Sequence, residues 1–534
     1  MNRIRKGFAL LLCLLLLLAA LTGCGKKDGS SETPEMEDES GGTADDMSGP
    51  EKRKASNSAF TMRFSSSDSM NPLYCRSGSN TALMSLIYEG LFRLDESFQP
   101  YPLLCKEYGT EDGKTWWFTL IGAVMHDGSE LKPVDVAYTI NLARDSDKYR
   151  SRLSGIAACY DNGDGRVIME LKEENRNLPA LLDVPIICAG TGDDFAPAGT
   201  GPYVYREMGR NAVLEVFREY RDADAAETRS LYLREYAEGT LEESFSDRSL
   251  DMIWEGGSDS SSLHLYGEFE THCYDTTMLQ YIGFNFNRIA LQQASVRRAI
   301  ACAVDREMIV DEIYGSIGRP AALLYNPSFR LYADSWADAQ EYSVSEMSAN
   351  LAEAGLQDHN NDGLLEYDYG GGYWETLSLR FVVYEGSTKK IAAAQAIAGN
   401  LNRVGLDVKV TPLPWDDYLQ ALENGRFELY YGEAALPHDF DFSDLLTPGG
   451  SLRYGLTGGT AYADLIGDVK RATGDEELEA AAAALCRYAA ENVPIVPIQY
   501  RQNVVYTHRG EVTGLSPSVS GIFQSVKEWS INLS

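Results

Sequence analysis

Histidine is scarce in this chain, basic residues are outnumbered, cysteines are never closely paired, and only one long apolar run occurs. The 6 histidines in 534 residues include no H-E-x-x-H and no close pair at helical spacing, so a helix-borne histidine metal site is not expected. Lys and Arg number 47 against 79 Asp and Glu, a formal net charge of -32. Such acidity argues against nucleic acid or anionic lipid headgroups as partners, because both require basic patches. It is read as a surface for solubility outside the cell. The 9 cysteines contain no C-x-x-C. Beyond Cys24 they are Cys75, Cys105, Cys159, Cys188, Cys273, Cys302 and Cys486, too widely spaced for a disulfide framework. They are expected mostly as small buried hydrophobes, with one or more disulfides left open by an extracytoplasmic setting. There is no G-x-S-x-G elbow, no Walker loop and no G-x-G-x-x-G after a strand. No catalytic residue, metal or cofactor is therefore expected. Abundant carboxylates leave a two-carboxylate hydrolase open.

The one long apolar run lies at the start. Arg3, Arg5 and Lys6 precede a Leu/Ala stretch from Phe8 to Ala20, followed by Leu21-Thr22-Gly23-Cys24. The run is shorter than the roughly 20 residues of a transmembrane helix. Basic start, apolar middle and small residues before a cysteine are the order of a lipoprotein signal peptide. Residues 1–23 are expected to be removed and Cys24 to carry lipid, leaving the chain at the extracytoplasmic face of the membrane. Loss of three basic residues with the signal takes the charge from -32 to -35. Residues 24–58 are Ser, Gly, Glu, Asp and Lys with almost no large apolar side chain, the composition of a flexible tether.

Beyond residue 59 the chain is long enough for two to four domains. Alternation predicts strands at 59–64, 91–94, 115–120 and 166–171. Pro133 opens a helix to about Arg144. Asp161-Asn162-Gly163-Asp164-Gly165 and Gly209-Arg210-Asn211 read as hairpin turns. Met278 to Phe286 reads as a long strand. Ser295 is expected to cap a helix carrying Val296, Ala299, Ile300 and Ala303 on one face. Strand 377–384, helix 388–404 closed by Gly405, and strand 406–411 make a βαβ unit, which implies parallel pairing. A helix from Trp415, a strand at 428–431 and a return strand at 493–505 follow. Asp358-His359-Asn360-Asn361-Asp362-Gly363 matches the first half of a calcium loop, but position twelve is Tyr369 and a tight turn is the expected reading. His264 and His272 are expected as surface residues.

Several segments then fall in a particular order. Tyr88-Glu89-Gly90-Leu91-Phe92 precedes Trp117-Phe118-Thr119-Leu120, His126-Asp127-Gly128 and Asp135-Val136-Ala137-Tyr138. Gly199-Thr200-Gly201-Pro202-Tyr203 follows, then Val296-Arg297-Arg298-Ala299-Ile300 with Val304-Asp305-Arg306. Leu401-Asn402-Arg403-Val404-Gly405-Leu406, Trp415 with Tyr418, and Val496-Pro497-Ile498 complete the series. The series resembles the family 5 extracellular solute-binding proteins, receptors for oligopeptides, dipeptides and nickel in ABC importers, and it spans nearly all of residues 60–534. From the residues themselves these pieces read as scaffold: Gly199 and Gly201 as sites of unusual backbone angles, Asp127-Gly128 as a turn, Asp135 as a first-turn carboxylate.

The resemblance implies an α/β fold of the periplasmic-binding-protein type II, with two lobes, a hinge and an extra domain. Residues 59–92, 199–284 and 500–534 would form lobe I, 93–198 the extra domain and 285–499 lobe II, with crossings near Gly283–Asn287 and Tyr500. It implies a binding protein, not an enzyme: a peptide or small solute is trapped between the lobes and passed to an ABC permease. Peptide-binding relatives hold the ligand ammonium on a carboxylate in a loop after a lobe II strand. Here that loop, 432–441, places Leu436 near the expected position, with Glu433, Asp439 and Asp441 as candidates. Trp415 is the candidate aromatic wall, and Met70, Asn71 and Tyr74 are the lobe I candidates. An extracellular lipoprotein hydrolase and a non-transporting sensor or adhesion lipoprotein remain the alternatives.

Overall fold

The computed structural model describes residues 60–533 apart from 226–227, 238, 257–262, 333–336 and 338–339. The signal, Cys24 and the tether lie outside the described residues. Two long antiparallel strands organise the rest. Phe269–Phe284 and Ile495–His508 run side by side and belong to two half-sheets at once. At one end the neighbours are Met252–Glu255, Thr61–Arg63, Ser230–Arg234, Asn211–Val216 and Tyr203–Met208. At the other end they are Leu429–Ala435, Ser378–Tyr384 and Asp407–Leu413. The register of the two long strands breaks between Asp275 and Leu279, opposite Gln502 and Tyr500. That break marks the change of side. It lies ahead of the Gly283–Asn287 stretch, whose Gly283 and Phe284 already pair with Tyr430 and Leu429 in the second half-sheet.

The second half-sheet is buried on both faces, and its side chains alternate accordingly. Phe381 and Val383 pack into one apolar cluster with Ile282 and Phe284. Val382 turns to the opposite cluster with Leu279 and Tyr281. Helix Thr388–Arg403 covers the first face through Ala393, Ala394, Ile397 and Leu401. Ser387 caps its start by accepting from the Lys390 amide, and Gly405, at φ 93°, ends it in the left-handed conformation that glycine takes without penalty. Strands Ser378–Tyr384 and Asp407–Leu413 pair in parallel, as the βαβ pattern requires. Helix Asp475–Asn492 covers the other face through Ala482, Leu485, Cys486 and Ala489.

A separate four-stranded antiparallel sheet is built from Cys105–Thr110, Thr115–Leu120, Ile156–Asp161 and Arg166–Leu171, with helix Pro133–Asp145 against it. Its Trp116 and Phe118 share one continuous core with Phe60, Met62, Met252 and Trp254 of the first half-sheet. This extra domain and lobe I therefore behave as one packed body. The fold is α/β, two lobes joined by paired strands, plus one extra domain.

Two local expectations change. Ser295 lies inside helix Ala294–Ala301, buried, and the N-cap position is Gln293. Gly199 and Gly201 do not have left-handed backbone angles. They are needed because the chain passes against another backbone: a Cβ on Gly201 would lie 2.5 Å from the Ile87 carbonyl carbon, and one on Gly199 2.4 Å from the Ile87 oxygen. Gly201 N–H donates to Ile87 O at 2.9 Å, Thr200 Oγ1 donates to Glu89, and the His126 ring meets Gly201 O at 2.9 Å. Three of the spaced sequence segments thus dock on one another.

The seven described cysteines are unpaired, five of them buried. Among the described residues no helix is long and apolar enough to cross a membrane.

Candidate functional site

A cleft of about 1260 Å³ lies between the lobes. Lobe I contributes Arg63, Trp254, Tyr274 and Asn503; the extra domain contributes Lys148, Arg152, Glu173 and Asp183. Lobe II contributes the loop Ala435–Asp441 and Lys470. The loop is placed by the crossing strand itself. Leu436 N–H donates to Thr277 O at 3.0 Å, and Thr277 Oγ1 donates back to Leu436 O at 2.7 Å. The cleft wall is thus pinned to the strand at its register break.

The lobes touch across this cleft. Phe98 of the extra domain inserts among lobe II aromatics, 5.0 Å from the Phe440 ring centre and 6.4 Å from that of Phe329. Asn175 Nδ2 donates to Asp439 Oδ2 at 3.2 Å, Arg176 N–H to Lys470 O at 2.8 Å, and Asn177 Nδ2 to Val469 O at 3.3 Å.

Charge at the site is balanced locally. Lys470 Nζ lies 2.7 Å from Asp441 Oδ2. Its ammonium is held above its usual pKa by that carboxylate, against the opposing effect of burial. Burial, helped by the neighbouring Asp441, pushes Asp439 up to about 6. Arg152 pairs with Asp183 across the extra domain, and burial lowers its guanidinium to about 10. His438 Nδ1 lies 3.1 Å from Asp183 Oδ2, and burial followed by the Arg152 charge keeps the ring neutral. Arg63 sits beside the Trp254 ring, 5.5 Å from its centre, and donates to Trp254 O. Its Nε has no hydrogen-bond partner among the described residues.

Of the residues singled out from sequence, Asp439 and Asp441 line the cleft. Glu433 does not: it sits under the crossing strands, 3.2 Å from Arg501 and 3.3 Å from Lys390, and accepts from Gln280 Nε2 at 2.7 Å. Trp415 is outside the cleft, half exposed and stacked on Tyr418 at 5.9 Å. Met70 is core, and its carbonyl accepts from Tyr88. Asn71 ties the chain to Gly192 O at 2.8 Å, and Tyr74 points to solvent. Sequence reasoning missed Arg63, Trp254, Arg152 and Lys470. Arg63 alone left a signal, a charge on an otherwise buried strand.

His264 and His272 stand beside different glutamates, Glu242 and Glu270. The 358–366 segment forms the expected tight turn: Asp358 accepts from the Asp362 and Gly363 amides, both at 3.0 Å. Glu366 accepts from His359 N–H at 2.6 Å and from Asn360 Nδ2 at 2.9 Å. The chain's own donors thus occupy these carboxylates.

A family model described as "Bacterial extracellular solute-binding proteins, family 5 Middle" matches residues 99–449. The oligopeptide-binding protein AppA of Bacillus subtilis is 23% identical over 375 residues, 66% of this chain and 68% of that protein. The solved structure of that AppA with a nonapeptide superposes with TM-score 0.62 at 19% identity, covering 89% of this chain and 99% of the other. The murein tripeptide-binding protein MppA, in its unliganded open form, gives TM-score 0.72 at 17% identity, with coverages of 89% and 98%. At these identities the solved structures establish a shared fold: the type II periplasmic-binding-protein arrangement with its additional domain.

Proposed function

This chain belongs to the bacterial extracellular solute-binding proteins of family 5, and from that premise we propose that it is the lipid-anchored receptor of an ABC importer, capturing a peptide or similar small solute and presenting it to a permease. Lobe I would comprise the first half-sheet, the extra domain would move with it, and lobe II would close on both. Ligand touching both walls shifts the population from open to closed, because only the closed form makes both sets of contacts. The permease reads that form, and acyl chains on Cys24 keep the receptor at the extracytoplasmic face.

The observation that carries this reading is the cleft of about 1260 Å³ between two hinged bodies. Pockets for single drug-sized ligands are about 300–1,000 Å³, so this one has room for a short peptide. Peptide-binding relatives are a second support: AppA is named for oligopeptides and was solved with a nonapeptide. The side-chain anchor differs from the usual pattern. Leu436 is apolar, Asp439 is held by Asn175, and Asp441 by Lys470. Main-chain hydrogen bonding, as in an added strand, then carries most of the affinity, and Arg63 receives an anionic group of the ligand.

Native mass spectrometry of the full chain as purified tests the reading by weighing what is trapped. Quenching of Trp254 by peptides of two to nine residues gives affinities, and Arg63→Ala weakens them. A protein that carries no small molecule, and whose fluorescence no peptide changes, overturns it.

A further inference from the structure

A second cluster of chemistry-bearing side chains lies in lobe I, away from the cleft. Asp251 precedes the strand Met252–Glu255; His508 ends the crossing strand; Glu511 follows after the Arg509-Gly510 turn. Their ligand-type atoms all lie within 4.8 Å of one another, and none of the three lines the cleft. All are deeply buried, with relative exposures of 6%, 5% and 4%. Burial of three such groups together is costly unless each finds a partner. The Asp251 and Glu511 carboxyls hydrogen-bond each other, but two atoms of the cluster, His508 Nε2 and Glu511 Oε2, have no hydrogen-bond partner among the described residues.

We propose that Asp251, His508 and Glu511 bind one divalent first-row transition-metal ion, zinc being the best chemical fit. The arrangement has the parts such a site needs. The His508 ring bonds to the Leu250 backbone, and its Nε2 is left without a hydrogen-bond partner among the described residues. A backbone partner on the far ring nitrogen is the usual way a ligating imidazole is oriented. Stacking on Phe245, 4.1 Å between ring centres and 14° between planes, holds the ring further. Asp251 is fixed by the Thr61 amide, which donates to Oδ2 at 2.6 Å. Glu511 N–H donates to His508 O at 3.1 Å, so one turn presents two ligands and the neighbouring strand the third.

Two carboxylate oxygens and one imidazole nitrogen suit zinc and its neighbours. Calcium, which takes six to eight oxygens, is disfavoured by both the nitrogen and the ligand count. Two carboxylates match the ion's charge; Arg248 acts on all three residues and Arg234 on Asp251 as well. Ligand atoms about 2.1 Å from a tetrahedral ion are about 3.4 Å apart, so binding draws the three side chains slightly inward. The ion would clip the end of the crossing strand to the first half-sheet, a structural role with the fourth corner left to water.

The competing occupant is a proton shared between the two carboxyls, and the experiment separates the two. Full-length protein is stripped with chelator and titrated with Co²⁺, whose visible absorption reports a nitrogen- and oxygen-ligated site; zinc is then added. The expected result is one Co²⁺ per chain, displaced by zinc, and a higher melting temperature with zinc. Glu511→Gln and His508→Gln abolish the Co²⁺ spectrum and the zinc shift, while Asp362→Asn in the 358–366 turn leaves both unchanged. Glu511→Gln keeps the shape of the side chain, and a metal-free melting temperature close to that of the stripped parent shows that it has folded. Absence of Co²⁺ binding by the parent chain overturns the proposal, as does binding that persists in both ligand variants.

Discussion

Phe98 is the place to test whether closure is a real equilibrium of this chain. It sits at the turn between strands Phe92–Leu94 and Pro100–Pro102, with 2% of its surface exposed, although it is carried by the body that holds lobe I. Its neighbours Phe329 and Phe440 belong to lobe II. Opening must pull this ring into water. Exposing a buried phenylalanine costs about 1.5–3 kcal/mol. Edge contacts with two rings add about 0.5–1.5 kcal/mol. The contact therefore favours the closed form by about 2–4 kcal/mol, or roughly 30-fold to several hundredfold at 1.4 kcal/mol per tenfold. Phe98→Ala is expected to move ligand-free protein toward the open form by that factor. Small-angle scattering reads this as a larger radius of gyration, and any ligand recovered from the native protein should bind correspondingly more weakly. Phe98→Leu, which keeps most of the apolar area, should restore most of the closed population. An alanine variant with unchanged scattering and unchanged affinity would refute the reasoning, because Phe98 would then be buried in both forms.

Three further outcomes follow from the same structure. Glu433→Gln leaves Arg501 and Lys390 facing each other without a counter-charge beneath the crossing strands, and should cost about 3 kcal/mol in a urea melt, with no direct loss of a cleft contact. Asp439 titrates near 6 when folded, against about 3.9 when unfolded, so the folded state holds the extra proton between these values. Its contribution to stability therefore falls as pH rises from about 4 to 6 and is flat above, and Asp439→Asn should stabilise the protein by about 1–2 kcal/mol at pH 7.5 and by almost nothing at pH 4, read by thermal melts at both. Gly201→Ala drives a Cβ to 2.5 Å from the Ile87 backbone and should lower stability by about 1–3 kcal/mol, whereas Gly209→Ala, at an open turn, is limited to the strain of its φ of 68°.

The βαβ unit at 377–411 was legible because its signals are local: a buried run, a helical period, and a glycine stop. The family series was legible for a different reason, since its segments dock on one another and their order along the chain survives. The half of strand Phe269–Phe284 that precedes Met278 was not legible. Phe269-Glu270-Thr271-His272-Cys273-Tyr274-Asp275 carries no clean alternation, and it is a strand because Gln502–His508 lies beside it. Helix Asp475–Asn492 was missed as well, because its buried face is mostly alanine and contrasts weakly with its exposed one. The glycines of Gly199-Thr200-Gly201 were recognised as special for the wrong physical reason, for close approach is invisible until the approaching backbone is known.

Local chemistry along the chain was enough to settle that this is an acidic α/β body with a series of docking segments and a binding protein's ancestry. Which side chains face the cleft was settled only by folding. Glu433 and Asp439 are six residues apart, one in the strand Leu429–Ala435 and the other in the loop after it, yet one is locked under the hinge and the other lines the wall, because Thr277 pins Leu436 between them. Asp251 and His508 are separated by more than 250 positions and meet through strand pairing alone. Contacts of that kind depend on which surfaces the lobes bring together, and no spacing along the chain encodes them.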